Sequence, residues 1–177
     1  CRIPEISEDR VLRLVQARHP LLIWRQLQQQ GNPVSLPEAV PSENLKTAID
    51  EIVPLDLQLN GGQFQLVVTG PNTGGKTVVL KTAGLLSLMA SCSIPVPVEE
   101  GTTIPCFDAV HVDIGDEQSL QQDLSTFSSH IAIISEILEF STSKSLVLID
   151  ELGSGTDPLE GAALAESVLD RLYERGT

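Results

Sequence analysis

Apolar positions are scattered in the first third of the chain, then settle from Gln65 onward into short β-favouring runs alternating with longer helical periods. The early part predicts a short strand around Val11 to Val15, then "ARHPLL" and a polar, helix-like stretch to Gln30. Residues 31–44, "GNPVSLPEAVPSEN", carry three prolines and a glycine and predict a loop. "DEIVPLDLQL" predicts a strand interrupted at Pro54. After that come a strand over Gln65 to Thr69, a helix over Lys76 to Ser91 and a strand over Ala109 to Asp113. A helix over Thr126 to Phe140, a strand over Ser145 to Ile149 and a helix over Leu159 to Glu174 complete the series. Alternation of this kind predicts an open, mostly parallel α/β sheet flanked by helices.

Composition sharpens that picture. The 177 residues are enough for one domain with a real core, and the hydrophobic 41% is aliphatic, with only 3% aromatic. A formal net charge of -13 weighs against a chain that grips nucleic acid over its whole surface, because phosphate contacts need Lys and Arg, and leaves any such contact to a local basic patch or to other parts of a larger protein. Arg10, Arg13, Arg18 and Arg25 are the one candidate basic patch, and a solvated face explains them as simply. Cys1, Cys92 and Cys106 form no CxxC pair and no metal spacing, so a reducing cytoplasm is expected. The most apolar segment, Val78 to Ala90, is broken by Lys81 and too short to span a bilayer, so no membrane association is expected. With no initiator Met, and an end just after a helix, the chain reads as a piece of a longer polypeptide.

The chemistry begins at "GPNTGGKT", Gly70 to Thr77, which fits G-x-x-x-x-G-K-[ST]. Gly70, Gly74 and Gly75 let successive backbone N–H groups converge on phosphate oxygens, and the following helix adds its positive end. Lys76 can reach the β- and γ-phosphates and Thr77 can offer a hydroxyl to Mg²⁺. From residue frequencies alone, a chain of this length would match the pattern by accident roughly once in two hundred times. "SLVLIDEL", Ser145 to Leu152, ends a buried strand with Asp150, suited to hold Mg²⁺ through water. Glu151 follows, suited to orient or deprotonate an attacking water. In "DLSTFSSH", Asp123 to His130, Ser125 occupies an N-cap-like position with Thr126 behind it, either an anion site or a plain helix cap. "HVDIGDEQS", His111 to Ser119, ends a strand in polar residues where a γ-phosphate sensor could lie.

Taken together, "TGPNTGGKT", "IGDEQS", "LSTFSSH" and "LIDELGSGTDPLEGAALA" resemble the ATPase domain of the MutS family, the mismatch-repair branch of the ABC-type ATPases. Thr73, "STFSSH" and "ELGSGTDPLEGAALA" resemble its second bacterial branch, whose members lack the mismatch-reading domain, suppress homologous recombination and usually carry a nuclease module. The resemblance runs from Arg18 to the C-terminus. It implies a P-loop NTPase of ABC type, with a small antiparallel subsheet and connecting loop over residues 1–60 and the ATPase core over 61–177. It further implies that Gly70, Pro71, Asn72, Thr73, Gly74, Gly75, Lys76 and Thr77 bind ATP, with Mg²⁺ at Thr77 and Asp150 and catalysis by Glu151 and Lys76.

By the same resemblance, Gln118 senses the γ-phosphate, Ser125 and Thr126 touch ATP held by the opposite subunit, and Asp157 lies in the loop crossing the dimer interface. Ile52, Val53 and Leu55 resemble the adenine-packing segment, with aliphatics where the family has an aromatic. Arg18, His19 and Pro20 resemble the Arg-His-Pro that opens such domains and read as structural. The implied partners are a second copy of the chain and, through parts lying outside it, branched DNA or stalled ribosomes. The family's switch histidine is expected beyond Thr177. Two other readings compete. A transporter nucleotide-binding subunit should show a leucine-serine-glycine-glycine signature, where this chain has "LSTFSSH". A P-loop kinase or regulatory module should show an Arg-rich lid, yet residues 78–145 hold only Lys81 and Lys144 as basic residues.

Overall fold

The computed structural model of the chain describes residues 1–30, 42–60, 62–71, 74–115 and 123–177. These form two compact units, each discontinuous in sequence. The first comprises Cys1–Gln58 and Lys81–Pro105, the second Leu59–Leu80 and Cys106–Thr177. No helix among the described residues is long and apolar enough to cross a membrane.

In the first unit, four strands lie in the order β1 (Glu5–Ser7), β4 (Thr103–Pro105), β2 (Leu12–Ala17), β3 (Leu55–Leu59). β1 runs parallel to β4 and β2 antiparallel to it. Along β2, Leu12 and Leu14 are buried and Arg13 is exposed, the period-two pattern of a half-covered strand. Gln16 then adopts a φ of 48°, which shifts the alternation by one residue so that Ala17 turns inward. Asp56 on β3 holds this kink, accepting from the Gln16 backbone N–H at 2.8 Å and from its side-chain amide at 2.5 Å.

Helix α1 (Pro20–Gln29) starts on Pro20, whose missing N–H is no loss in a first turn. Its N-cap is His19, with Nδ1 accepting from the Leu21 N–H at 3.2 Å. Ile23 and Leu27, one turn apart, pack with Ala48 of α2 (Ser42–Asp50), flanked by Ile49 and Ile52. Helix α3 (Lys76–Ser91) occupies the predicted span, and Leu86 within it is fully buried.

The second unit is built on β5 (Ala109–Asp113) and β6 (Ser145–Ile149), a parallel pair in register from Ala109↔Ser145 to Asp113↔Ile149. Asp108 fastens the start of both strands. Its carboxylate accepts from Thr142 Oγ1 at 2.6 Å and Ser145 Oγ at 3.0 Å. α4 (Asp123–Phe140) and α5 (Pro158–Arg175) share a core of Ile134, Ile137, Val168 and Leu172, with Val147 and Ile149 of β6 packed against it. Asp157 caps the start of α5 and Gly176, at a φ of 71°, ends it, its N–H and that of Thr177 returning to the last-turn carbonyls.

Three expectations change. Among the described residues the parallel sheet is a single pair, β5 and β6, and the N-terminal sheet is mixed rather than antiparallel, because β4 inserts between β1 and β2. Gln65 to Thr69 belongs to no strand among the described residues. β-Propensity is realised only where a neighbouring edge accepts the ladder. This segment is held by its side chains instead: Gln65 donates to the Leu169 carbonyl at 2.9 Å and Phe64 stacks on Tyr173. Finally, the predicted loop ends earlier and the predicted strand begins later, since α2 takes residues 42–50 and Pro54 delays β3 to Leu55. Residues 31–41 lie outside the described residues.

Candidate functional site

Gly70, Pro71, Gly74 and Gly75 lie just before α3, which opens with Lys76 and Thr77. Gly70 and Gly75 have φ of 145° and 79°, which an L side chain resists, and a Cβ on either would meet nothing within 4 Å. The Gly74 N–H closes a turn on the Pro71 carbonyl at 2.9 Å, and Val79 N–H to Gly75 carbonyl begins the helix. Lys76 bends back to donate from Nζ to the Gly70 carbonyl at 2.7 Å. A cation, a helix N-terminus and an open backbone arc thus share one place, a donor set suited to phosphate. Asn72 and Thr73 lie outside the described residues.

Thr77 and Asp150, far apart in sequence, meet here: Thr77 Oγ1 donates to Asp150 Oδ2 at 2.5 Å. Asp150 follows the last residue of β6, and its N–H donates to the Asp113 carbonyl at 2.8 Å. A hydroxyl beside a half-buried carboxylate is a hard-oxygen pair of the kind Mg²⁺ takes. Among the described residues no three His, Cys, Asp or Glu converge, so an ion here would rely on one carboxylate, a hydroxyl, water and phosphate oxygens.

Glu151 comes next, exposed, with a φ of 51°. The turn is closed by Ser154 N–H on the Glu151 carbonyl at 2.9 Å, while Leu152 packs on the α4–α5 core. Gly153 lies so near α5 that a Cβ on it would sit 2.3 Å from the Gly161 carbonyl oxygen. Glu151, Gly153 and Ser154 line an open cleft with Phe127 and His130 of α4 and Asp113 of β5. In it, His130 Nδ1 lies 2.8 and 2.9 Å from the two Asp113 carboxylate oxygens. That pair was not anticipated. "HVDIGDEQS" and "LSTFSSH" each contain one member, but nothing in their spacing joins them.

The other expected residues fall as follows. Ser125 is the third residue of α4 and not its cap, because the helix starts at Asp123. The side chains of Ser125 and Thr126, and all of Gln118, lie outside the described residues. Asp157 Oδ1 accepts from the Leu159 N–H at 2.9 Å, which makes it a helix cap. Ile52, Val53 and Leu55 belong to the first unit, where Val53 is 86% exposed. Arg18 donates to the Ile52 carbonyl at 3.3 Å and the Gln16 carbonyl at 3.1 Å, a structural use in keeping with the Arg-His-Pro reading. Burial, and secondarily the Lys81 ammonium, hold the His19 imidazole below its ordinary pKa.

The sequence that builds this site also places the chain in a described family. Over residues 66–177 the sequence matches the profile of MutS domain V, and the chain belongs to that family. Among curated proteins it is similar to Endonuclease MutS2 of Fusobacterium nucleatum, 46% identical over 99% of this chain and 19% of that protein. Endonuclease MutS2 of Gemmatimonas aurantiaca is 47% identical over 93% of the chain and 17% of its own length. That of Halalkalibacterium halodurans is 59% identical over 72% of the chain and 16% of its own. The chain therefore spans under a fifth of the length of these curated relatives.

Proposed function

We propose that this chain binds and hydrolyses ATP with Mg²⁺, as the ABC-type P-loop ATPase part of a MutS-like protein that acts on DNA. The observation that carries the reading is the contact of Thr77 with Asp150 beside the Lys76–Gly70 arc, which gathers phosphate-binding and metal-binding groups at one point. Gly70 through Thr77 hold the triphosphate through backbone N–H groups, with Lys76 Nζ moving from the Gly70 carbonyl to phosphate oxygen. Thr77 Oγ1 and Asp150 hold the magnesium ion, which when bound neutralises charge on the phosphate oxygens. Glu151 orients the attacking water and takes its proton on a carboxylate oxygen.

The remaining assignments are part of the same proposal. Gln118 reports on the terminal phosphate, and Ile52, Val53 and Leu55 pack on the base. Two copies form a sandwich in which Ser125 and Thr126 of one face the nucleotide of the other, with Asp157 at the interface. ATP favours the closed dimer because it binds that state better than the open one. DNA or ribosome contact and any nuclease activity reside in other parts of the protein, in a reducing cytoplasm that suits three free cysteines. Titration with a fluorescent, non-hydrolysable ATP analogue tests the assignment. Lys76→Ala should lose binding by about a hundredfold or more, and retained affinity would overturn the phosphate-loop reading.

A further inference from the structure

Asp113 faces two ways. It ends β5, and its backbone carbonyl takes the N–H of Asp150 at 2.8 Å. Its side chain, only 3% exposed, turns to α4 and meets His130 Nδ1 with both oxygens. A carboxylate so buried is strongly disfavoured without a partner, so this contact is not interchangeable with water. The imidazole is also confined from behind, since a Cβ on Gly115 would lie 3.3 Å from His130 Cε1. Four residues before His130, one turn earlier in the same helix, is Thr126.

We propose that the His130–Asp113 pair is a positioning link that couples the helix bearing Ser125 and Thr126 to the strand end bearing Asp150 and Glu151. The inference rests on the ATPase reading above. Under that reading each copy presents α4 to its partner's nucleotide while its own Asp150 and Glu151 serve its own. The two duties need a mechanical connection within one chain. Ile134 and Ile137 pack in the apolar core shared with α5, a contact that is non-directional. A bifurcated hydrogen bond to a buried carboxylate fixes direction and distance. Movement of α4 on meeting a second copy is therefore passed through Asp113 to the Asp150 amide, and from there to Glu151. In this role His130 and Asp113 act through the Asp150 amide and not as phosphate or metal ligands, so they set when hydrolysis proceeds and not whether ATP is captured.

Steady-state ATPase kinetics on the full-length protein, with nucleotide binding and thermal melting measured alongside, test the link. His130→Ala and Asp113→Asn should each leave the KM for ATP within about twofold and lower kcat by about tenfold. The double variant should be no worse than either single one, since both remove the same connection. His130→Gln, whose amide can still donate to Asp113, should recover most of kcat. Unchanged kcat in His130→Ala would overturn the link and leave the ATPase reading standing. So would additive losses in which KM, kcat and melting temperature deteriorate together without rescue by His130→Gln. Wild-type protein that bound no Mg·ATP would overturn both.

Discussion

Glu151 is one of three non-glycine residues with positive φ among those described, a conformation that costs such a residue about 1–2 kcal/mol. It is maintained because its neighbours are fixed: the Asp150 amide by Asp113, Leu152 by the core and Ser154 by the Glu151 carbonyl. In the proposed role, a backbone fixed this way directs the Glu151 side chain from a constant starting point. Glu151→Gln keeps the geometry and removes the proposed base. It should lower turnover by roughly a hundredfold and accumulate an ATP-bound dimer on size-exclusion chromatography; normal turnover by a monomer would remove Glu151 from its role. Two residues on, Gly153 has a φ of 84° as well as the Gly161 carbonyl oxygen 2.3 Å from any added Cβ. Gly153→Ala should destabilise by about 1–3 kcal/mol, seen as a lower urea midpoint. Gly62→Ala, where a Cβ would meet nothing within 4 Å, is the matched control and should leave the midpoint unmoved.

Among the elements, α1 carries a pH dependence. Its cap His19 is buried and accepts a hydrogen bond at Nδ1, and both burial and Lys81 push its pKa below the ordinary 6.5. The unfolded chain then binds the proton more readily than the folded one. This contribution is complete above pH 6.5 and is lost as pH falls below it. Urea midpoints of wild type and His19→Asn, which caps without titrating, should converge between about pH 7.5 and about pH 5. α3, β5 and β6 were legible in sequence to the residue because each joins a strong period to a clear stop. Lys76 opens one helix after glycines, and Asp113 and Asp150 bound apolar runs. α2 was missed because prolines upstream masked a short amphipathic run, and Gln65 to Thr69 was overread because propensity says nothing about which edge is available. Of the site, Lys76, Thr77 and Asp150 could be read from contiguous motifs. The His130–Asp113 pair could not, since only folding brings α4 onto the end of β5.

For the whole molecule, the net charge of -13 decides what the chain can bind unaided. Of the four arginines that could have formed a basic patch, Arg18 is occupied by the Ile52 and Gln16 carbonyls. The isolated chain should bind duplex DNA no more tightly than about 10⁻⁵ M at physiological salt, without preference for a mismatch. Submicromolar, salt-resistant binding in a fluorescence anisotropy titration would refute this. The division into two discontinuous units has a consequence for dissection. Lys76 and Thr77 precede the excursion Lys81–Pro105 into the first unit, whereas Asp150 and Glu151 follow it. A single backbone scission anywhere in that excursion therefore puts the phosphate loop on one fragment and its acidic counterparts on the other. Neither unit can be excised as one continuous segment, and the proposed ATP site survives only in an unbroken chain or a reassembled split pair.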